Sequence, residues 1–178
     1  MWWLMLIIAL LIKLDSKGPV IFKQRRPGYK KQIFTMYKFR TMKVETMDGD
    51  RKLSDDERTT KLGKFLRKSS LDELPQLFNI LKGEVALIGP RALLINDIPT
   101  YTEDQLKRFE VLPGMTSWNA VQGRNDNDLQ TKYNNEVYYV EHFGPMIDIK
   151  IFLRPLLSYY PAKVSMTKNE ELRRILLR

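Results

Sequence analysis

A chain of 178 residues with 43% hydrophobic side chains and a net charge of +9 has the size of one globular domain, which buries about two-thirds of the surface its unfolded form exposes. It holds no cysteine, which excludes disulfides, thiolate zinc sites and a cysteine nucleophile, and its one histidine, His142, makes a serine–histidine catalytic pair a poor fit. Transfer or hydrolytic chemistry therefore falls to carboxylates, bases or a metal.

Residues 1–12, MWWLMLIIALLI, form an uncharged apolar run that would extend only about 18 Å as a helix, against a bilayer hydrocarbon core of about 30 Å. No basic stretch precedes it and no small-residue cleavage site follows, so it does not resemble a signal peptide. The run fits either a buried core helix or a segment dipping into one leaflet. Trp2 and Trp3, with Lys13, Lys17, Lys23, Arg25 and Arg26 directly after, favour the leaflet. The basic excess lies between Lys13 and Lys68, and such a surface attracts nucleic acid, anionic lipid or phosphorylated substrates alike.

Ser16-Lys17-Gly18-Pro19 is a turn, and the β-prone stretches 20–23 and 33–39 predict a hairpin. Residues 43–60, with Asp48-Gly49-Asp50 and Ser54-Asp55-Asp56, predict a surface loop. Leu62, Phe65 and Leu66 have helical spacing, and Leu74, Leu77, Phe78 and Leu81 form a second stripe that Gly83 would end. A short strand is predicted over 85–88, then a Gly89-Pro90-Arg91 turn, and helices over 104–109, 128–141 and 145–160. In 169–178, Leu172, Ile175 and Leu176 share a face, which suits a surface-seeking helix or a frayed tail equally. Short strands among many helices predict a compact single domain of the α+β class, mostly α, with amphipathic surface helices.

The segment Ser69-Ser70-Leu71-Asp72-Glu73-Leu74-Pro75 sets two acids at the start of an apolar-periodic helix. Ser70 and Glu73 match the S-x-x-E capping pattern, although Pro75 argues for a start nearer Asp72. On one reading Asp72 and Glu73 simply complement the helix dipole, for about 0.3–1 kcal/mol. Alternatively, the helix end keeps Asp72 ionised and offers N–H groups to a phosphate, with magnesium bridging carboxylate and phosphate oxygens. A carboxylate is a weak nucleophile, so that chemistry needs neutralised charge at phosphorus. Lys38, Arg40, Arg67 and Arg91 are the nearby candidates, each read alone being an ordinary surface cation. His142 reads as a packing or surface residue, and Asp148 as a partner for a cation or a helix cap.

The motifs GPVIFKQRRPG, YKFRTM, SSLDELPQLFNILKGEVALIGPR and PGMTSWNAVQGRN, in this order, resemble the bacterial sugar transferase family, the monotopic phosphoglycosyl transferases, over residues 6–153. The resemblance implies a magnesium-dependent ping-pong reaction. Asp72 would attack the sugar-bearing phosphorus of a UDP-sugar, UMP would leave, and polyprenyl (undecaprenyl) phosphate would accept the phosphosugar, initiating glycoconjugate or polysaccharide synthesis. It further implies that Glu73 assists in metal or proton handling, that Asp72 and Glu73 hold Mg2+, and that Lys38, Arg67 and Arg91 contact phosphate. Arg124 and Asn125 fall in a family segment near the site, and Glu136 stands where the family usually has an aspartate.

By the same resemblance the protein would sit on the cytoplasmic face of the bacterial inner membrane. Since family members usually begin with a basic, longer re-entrant helix broken by Ser-Pro, the resemblance implies that residues 1–14 are the second half of such a helix. The expected division is a truncated membrane-dipping helix at 1–14, a catalytic domain at 15–160 and a tail or amphipathic helix at 161–178. Two other readings compete. One is a catalytically silent membrane scaffold with the family fold. The other is a nucleic-acid module stacking bases on Phe22, Phe34, Tyr37 and Phe39, which leaves the apolar start and acidic pair unexplained, so no nucleic-acid partner is expected.

Overall fold

A computed structural model describes residues 2–122 and 128–158. Helix α1, Trp2–Asp15, buries only a narrow stripe: Ile8 and Ile12 join Phe39 and Leu66 in one cluster. The opposite face is open, with Trp2 80%, Leu10 61% and Leu14 76% exposed. This is not the burial of a core helix. Nor is any helix among the described residues long and apolar enough to cross a membrane.

Strand β1, Ile21–Pro27, pairs antiparallel with β2, Ile33–Phe39, with Ile21 opposite Phe39 and Pro27 opposite Ile33. The hairpin was expected, and its first strand runs four residues further than residue 23, through the basic pair to Pro27. Alternation along β2 buries Phe34 and Met36 against Val85 and Ala92, while Phe39 turns to the α1 cluster. Two of the four rings a base-stacking platform would need are therefore inside the protein.

Residues 43–60 hold more order than a loop: β3, Met47–Asp48, pairs with β4, Arg51–Lys52, and one helical turn follows as α2, Asp55–Arg58. Ser54 and Glu57 form a capping box there, each side chain bonding the other's backbone N–H. The S-x-x-E pattern thus operates at Ser54, where polar composition masked it, and not at Ser70.

Thr60 caps α3, Lys61–Ser69, its hydroxyl accepting from Gly63 N–H at 2.9 Å. A methyl group at Gly63 would collide with the Thr41 carbonyl, so this glycine is what lets α3 lie against the end of the hairpin. Gly63→Ala is expected to cost about 1–3 kcal/mol by overpacking, read as a lower denaturant midpoint at unchanged slope.

A six-residue 3-10 turn, Leu71–Gln76, leads into α4, Leu77–Leu81, which ends at Gly83 (φ 72°) as anticipated. Leu74 and Ile80 of this segment pack against the core, but others of its residues depart from the usual arrangement. Phe78 and Leu81 point out, 54% and 83% exposed, while Gln76 and Asn79 are buried. Asn79 is buried because it extends the β2 ladder: its oxygen accepts from Tyr37 N–H at 3.2 Å and its amide donates to Thr35 C=O and Glu84 Oε2, both at 2.7 Å. Asn79→Ala would strand these groups and is expected to destabilise by about 3 kcal/mol, measured by urea unfolding.

Strand β5, Ala86–Ile88, pairs in parallel with β6, Gly114–Thr116. The crossover between them carries a 3-10 turn at Ile95–Thr100, helix α5 at Glu103–Leu106 and another 3-10 turn at Lys107–Glu110. Cβ atoms added at Gly89 or Gly114 would strike the facing backbone, so the two stretches meet main chain to main chain. Helix α6, Trp118–Val121, precedes α7, Leu129–His142, capped by Asp128, and α8, Pro145–Ser158. Among the described residues Asp148 has no ion pair, and it accepts from the Tyr139 hydroxyl at 2.8 Å. His142 stacks on Tyr138 at the surface. Arg124, Asn125 and the tail 161–178 lie outside the described residues. The architecture is mixed helix and strand, with three two-stranded pairings among the described residues.

Candidate active site

The 3-10 turn between α3 and α4 places Asp72 and Glu73 on the wall of a cleft of about 1420 Å³, together with Lys38, Arg67, Arg91 and Glu136. Ser70 begins this turn in the left-handed region (φ 58°) and makes no side-chain cap. Glu73 therefore does not reach back to the helix start. Its Oε1 accepts from Lys38 Nζ at 2.7 Å and from Arg91 Nη2 at 2.8 Å, because two cations outbid one neutral N–H.

The two acids are set apart electrostatically. Burial pushes Glu73 up, but Arg91 and Lys38 outweigh it and hold the carboxyl below its usual range. For Asp72 burial wins: it raises the carboxyl, with Glu73 pushing the same way and Lys38 and Arg67 pulling back. The backbone's downward pull on Asp72 is smaller than the desolvation, so the carboxyl lies above its usual range rather than below it. Because the folded Asp72 keeps its proton to higher pH than the unfolded chain, stability falls as pH rises through that window. Asp72→Asn is accordingly expected to melt above the parent at about pH 7, with the gain shrinking as pH drops below the unfolded carboxylate range in thermal scans.

The expected cations divide by partner. Lys38 and Arg91 meet on Glu73, and Arg67 donates through Nε to Thr41 Oγ1 at 3.0 Å while acting on Asp72 through its charge. Arg40 is committed elsewhere, although it also lines the cleft. Its Nη2 donates to Ser16 C=O at 2.7 Å and Ile12 C=O at 3.4 Å, and its Nη1 to Lys17 C=O, so it closes the carbonyl end of α1. Glu136, 3% exposed, accepts from the backbone N–H of Arg91 at 3.1 Å; burial raises its carboxyl, opposed mainly by Arg108.

A profile described as "Bacterial sugar transferase" matches residues 1–160. The chain belongs to the bacterial sugar transferase family. This sugar transferase is similar to a Bacillus subtilis protein named an uncharacterized sugar transferase, EpsL, with 46% identity over 79% of this chain and 69% of that one. It is also similar to the Escherichia coli protein named UDP-glucose:undecaprenyl-phosphate glucose-1-phosphate transferase, at 39% identity over 81% of this chain and 33% of that one. A third similar protein, from Aeromonas hydrophila, is named UDP-N-acetylgalactosamine-undecaprenyl-phosphate N-acetylgalactosaminephosphotransferase, at 36% identity over 90% of this chain. The match spans 40% of that relative, so the chain corresponds to about a third to two-fifths of these two longer proteins.

The sugar transferase cleft offers magnesium one suitable ligand. Mg2+ is commonly held by one or two carboxylates plus phosphate oxygens, and no cluster of three or more acidic, His or Cys ligands occurs among the described residues. Asp72 lines the cleft without an ion pair among the described residues and fits that role. Glu73 fits less well, since its Oε1 already serves two cations. Reasoning from the sequence passed over Arg108 altogether. Its only trace there was a basic residue inside a predicted helix, and its burial at 4% exposure depends on Tyr101 and Glu136, neither a neighbour in sequence.

Proposed function

We propose that this protein transfers a sugar 1-phosphate from a UDP-sugar to a polyprenyl phosphate, of which undecaprenyl phosphate is the expected form, and releases UMP. The observation that carries this reading is a half-buried aspartate, Asp72, on the wall of a large cleft beside a carboxylate clamped by two cations. The printed names of the Escherichia coli and Aeromonas hydrophila relatives support both donor and acceptor classes.

In the first half-reaction an Asp72 carboxylate oxygen bonds to the sugar-bearing phosphorus. The bond from that phosphorus to the bridging oxygen breaks, and UMP leaves with the electron pair. In the second, a phosphate oxygen of the polyprenyl phosphate attacks the same phosphorus and the acyl-phosphate bond breaks. Asp72 is regenerated as the polyprenyl diphosphosugar departs. Lys38, Arg67 and Arg91 orient and neutralise the diphosphate, as guanidinium and ammonium groups do at phosphoryl centres. Bound by Asp72 and donor phosphate oxygens, magnesium would supply further charge neutralisation at phosphorus.

The acceptor's lipid chain must reach this cleft from a bilayer. The outward faces of α1 (Trp2, Leu6, Leu10, Leu14), α4 (Phe78, Leu81) and α8 (Met146, Ile149, Phe152) suit attachment to the cytoplasmic face of the bacterial inner membrane. Incubation with a panel of UDP-sugars and magnesium, without acceptor, tests the chemistry by intact mass. One donor is expected to add one phosphosugar to the protein and release UMP in equal amount; no adduct and no UMP from any donor would end this proposal. Flotation with anionic liposomes tests the location, and protein remaining at the bottom of the gradient would refute it.

A further inference from the structure

Arg91 is gripped at both of its peptide groups by charged side chains. Its N–H donates to Glu136 Oε2 at 3.1 Å, and its carbonyl accepts from Arg108 Nη2 at 2.6 Å. The two gripping residues are 3% and 4% exposed, come from α7 and the 3-10 turn before β6, and attract one another through the interior.

Burying two charges costs several kcal/mol per ion, and apolar residues of similar volume often serve stability as well or better. The guanidinium is not there to satisfy itself either, because Arg108 Nη1 is buried with no hydrogen-bond partner among the described residues. What the couple does achieve is placement. Gly114 N–H donates to Pro90 C=O at 2.9 Å, so the peptide before Arg91 is held by β6 while the residue itself is held by Glu136 and Arg108. Only the side chain is left to move, and it reaches Glu73 from the cleft wall with its guanidinium half exposed.

We propose that Arg108 and Glu136 are positioning residues, a buried charge couple that fixes the backbone of Arg91 so that its guanidinium is presented to Glu73 and to the donor phosphates. Glu136 then acts through Arg91. This inference rests on the cleft being the site of UMP release.

Its test pairs a kinetic cycle with a measurement that needs no turnover. UMP release is measured for the parent, Arg108→Met, Arg91→Ala and the double variant. Arg108→Met is expected to slow release about a hundredfold, as misplacement of a catalytic group does, and to add nothing once Arg91 is alanine. Full additivity in the double variant would overturn the proposal. In parallel, hydrogen exchange is followed by mass spectrometry on peptides covering residues 89–93. Arg108→Met and Glu136→Leu are expected to speed exchange there, whereas Glu136→Gln, which keeps an oxygen for the Arg91 N–H, leaves it as in the parent.

Unchanged exchange in both Arg108→Met and Glu136→Leu would also overturn the proposal. If the parent releases no UMP, the transferase reading fails, and exchange alone decides the positioning. Should Arg108→Met fail to fold, Arg108→Lys enters the same cycle. It keeps a charge for Glu136 and loses the forked donor, and slower release that vanishes in the Arg91→Ala background is again the supporting result.

Discussion

Asp72→Asn is expected to abolish formation of the phosphosugar adduct and to lower UMP release by on the order of 10⁴-fold or more, the scale of losing a covalent nucleophile. The amide is isosteric and uncharged, and Asp72 is the acid whose burial already disfavours its charge, so the variant keeps its fold and gains stability at neutral pH. Loss of turnover with a higher melting temperature separates a chemical role from structural damage. Parent-like UMP release by Asp72→Asn would remove the covalent step from the proposed mechanism. In the parent, the rate is expected to climb with pH as Asp72, its carboxyl raised by burial, loses its proton. In Asp72→Asn that limb of the pH profile is expected to disappear.

Glu73→Gln is expected to slow UMP release by about 10²–10³-fold while the adduct still forms, given time. Lys38 and Arg91 lie 2.7 and 2.8 Å from one oxygen of Glu73, and they stay together only because that oxygen is negative. A neutral amide leaves two cations side by side with no anion between them, and they separate until a diphosphate arrives. The loss should therefore fall more on kcat at saturating donor than on donor affinity, since the incoming phosphates can themselves gather the cations. Arg91→Ala, by contrast, removes the phosphate contact proposed for this side chain and is expected to raise KM as well. Steady-state kinetics on both variants decides between these patterns, and equal effects on KM would refute the assigned division of labour.

Much of the frame was readable from residue order. The hairpin, helix α3, the Gly83 end of α4, strand β5 and helices α7 and α8 each follow from a local signal such as alternation, helical spacing or a turn glycine. The Asp72–Glu73 pair and three of its cations were found the same way, because motifs a few residues long carry them. What the sequence concealed depends on partners far along the chain. Arg40 reads as one more cation in YKFRTM, and only the fold brings the exposed carbonyls of α1 to it. Arg108 sits in an ordinary charged stretch and becomes a structural cation only when α7 delivers Glu136. The inward face of α4 carries a polar residue because β2 needs Asn79, so Phe78 and Leu81 of the apolar stripe face outward while Leu74 packs inward. The capping motif appeared at two places, and the left-handed Ser70 decided which of them is used.

The seam where Gly89 faces Gly114 ties two motifs 25 residues apart into a single rigid unit. With no side chain between the strands there is nothing compressible to absorb a shift, so the loop bearing Arg91 and the segment leading to Ser117 and α6 must travel together. A side chain at either glycine would force these two stretches apart.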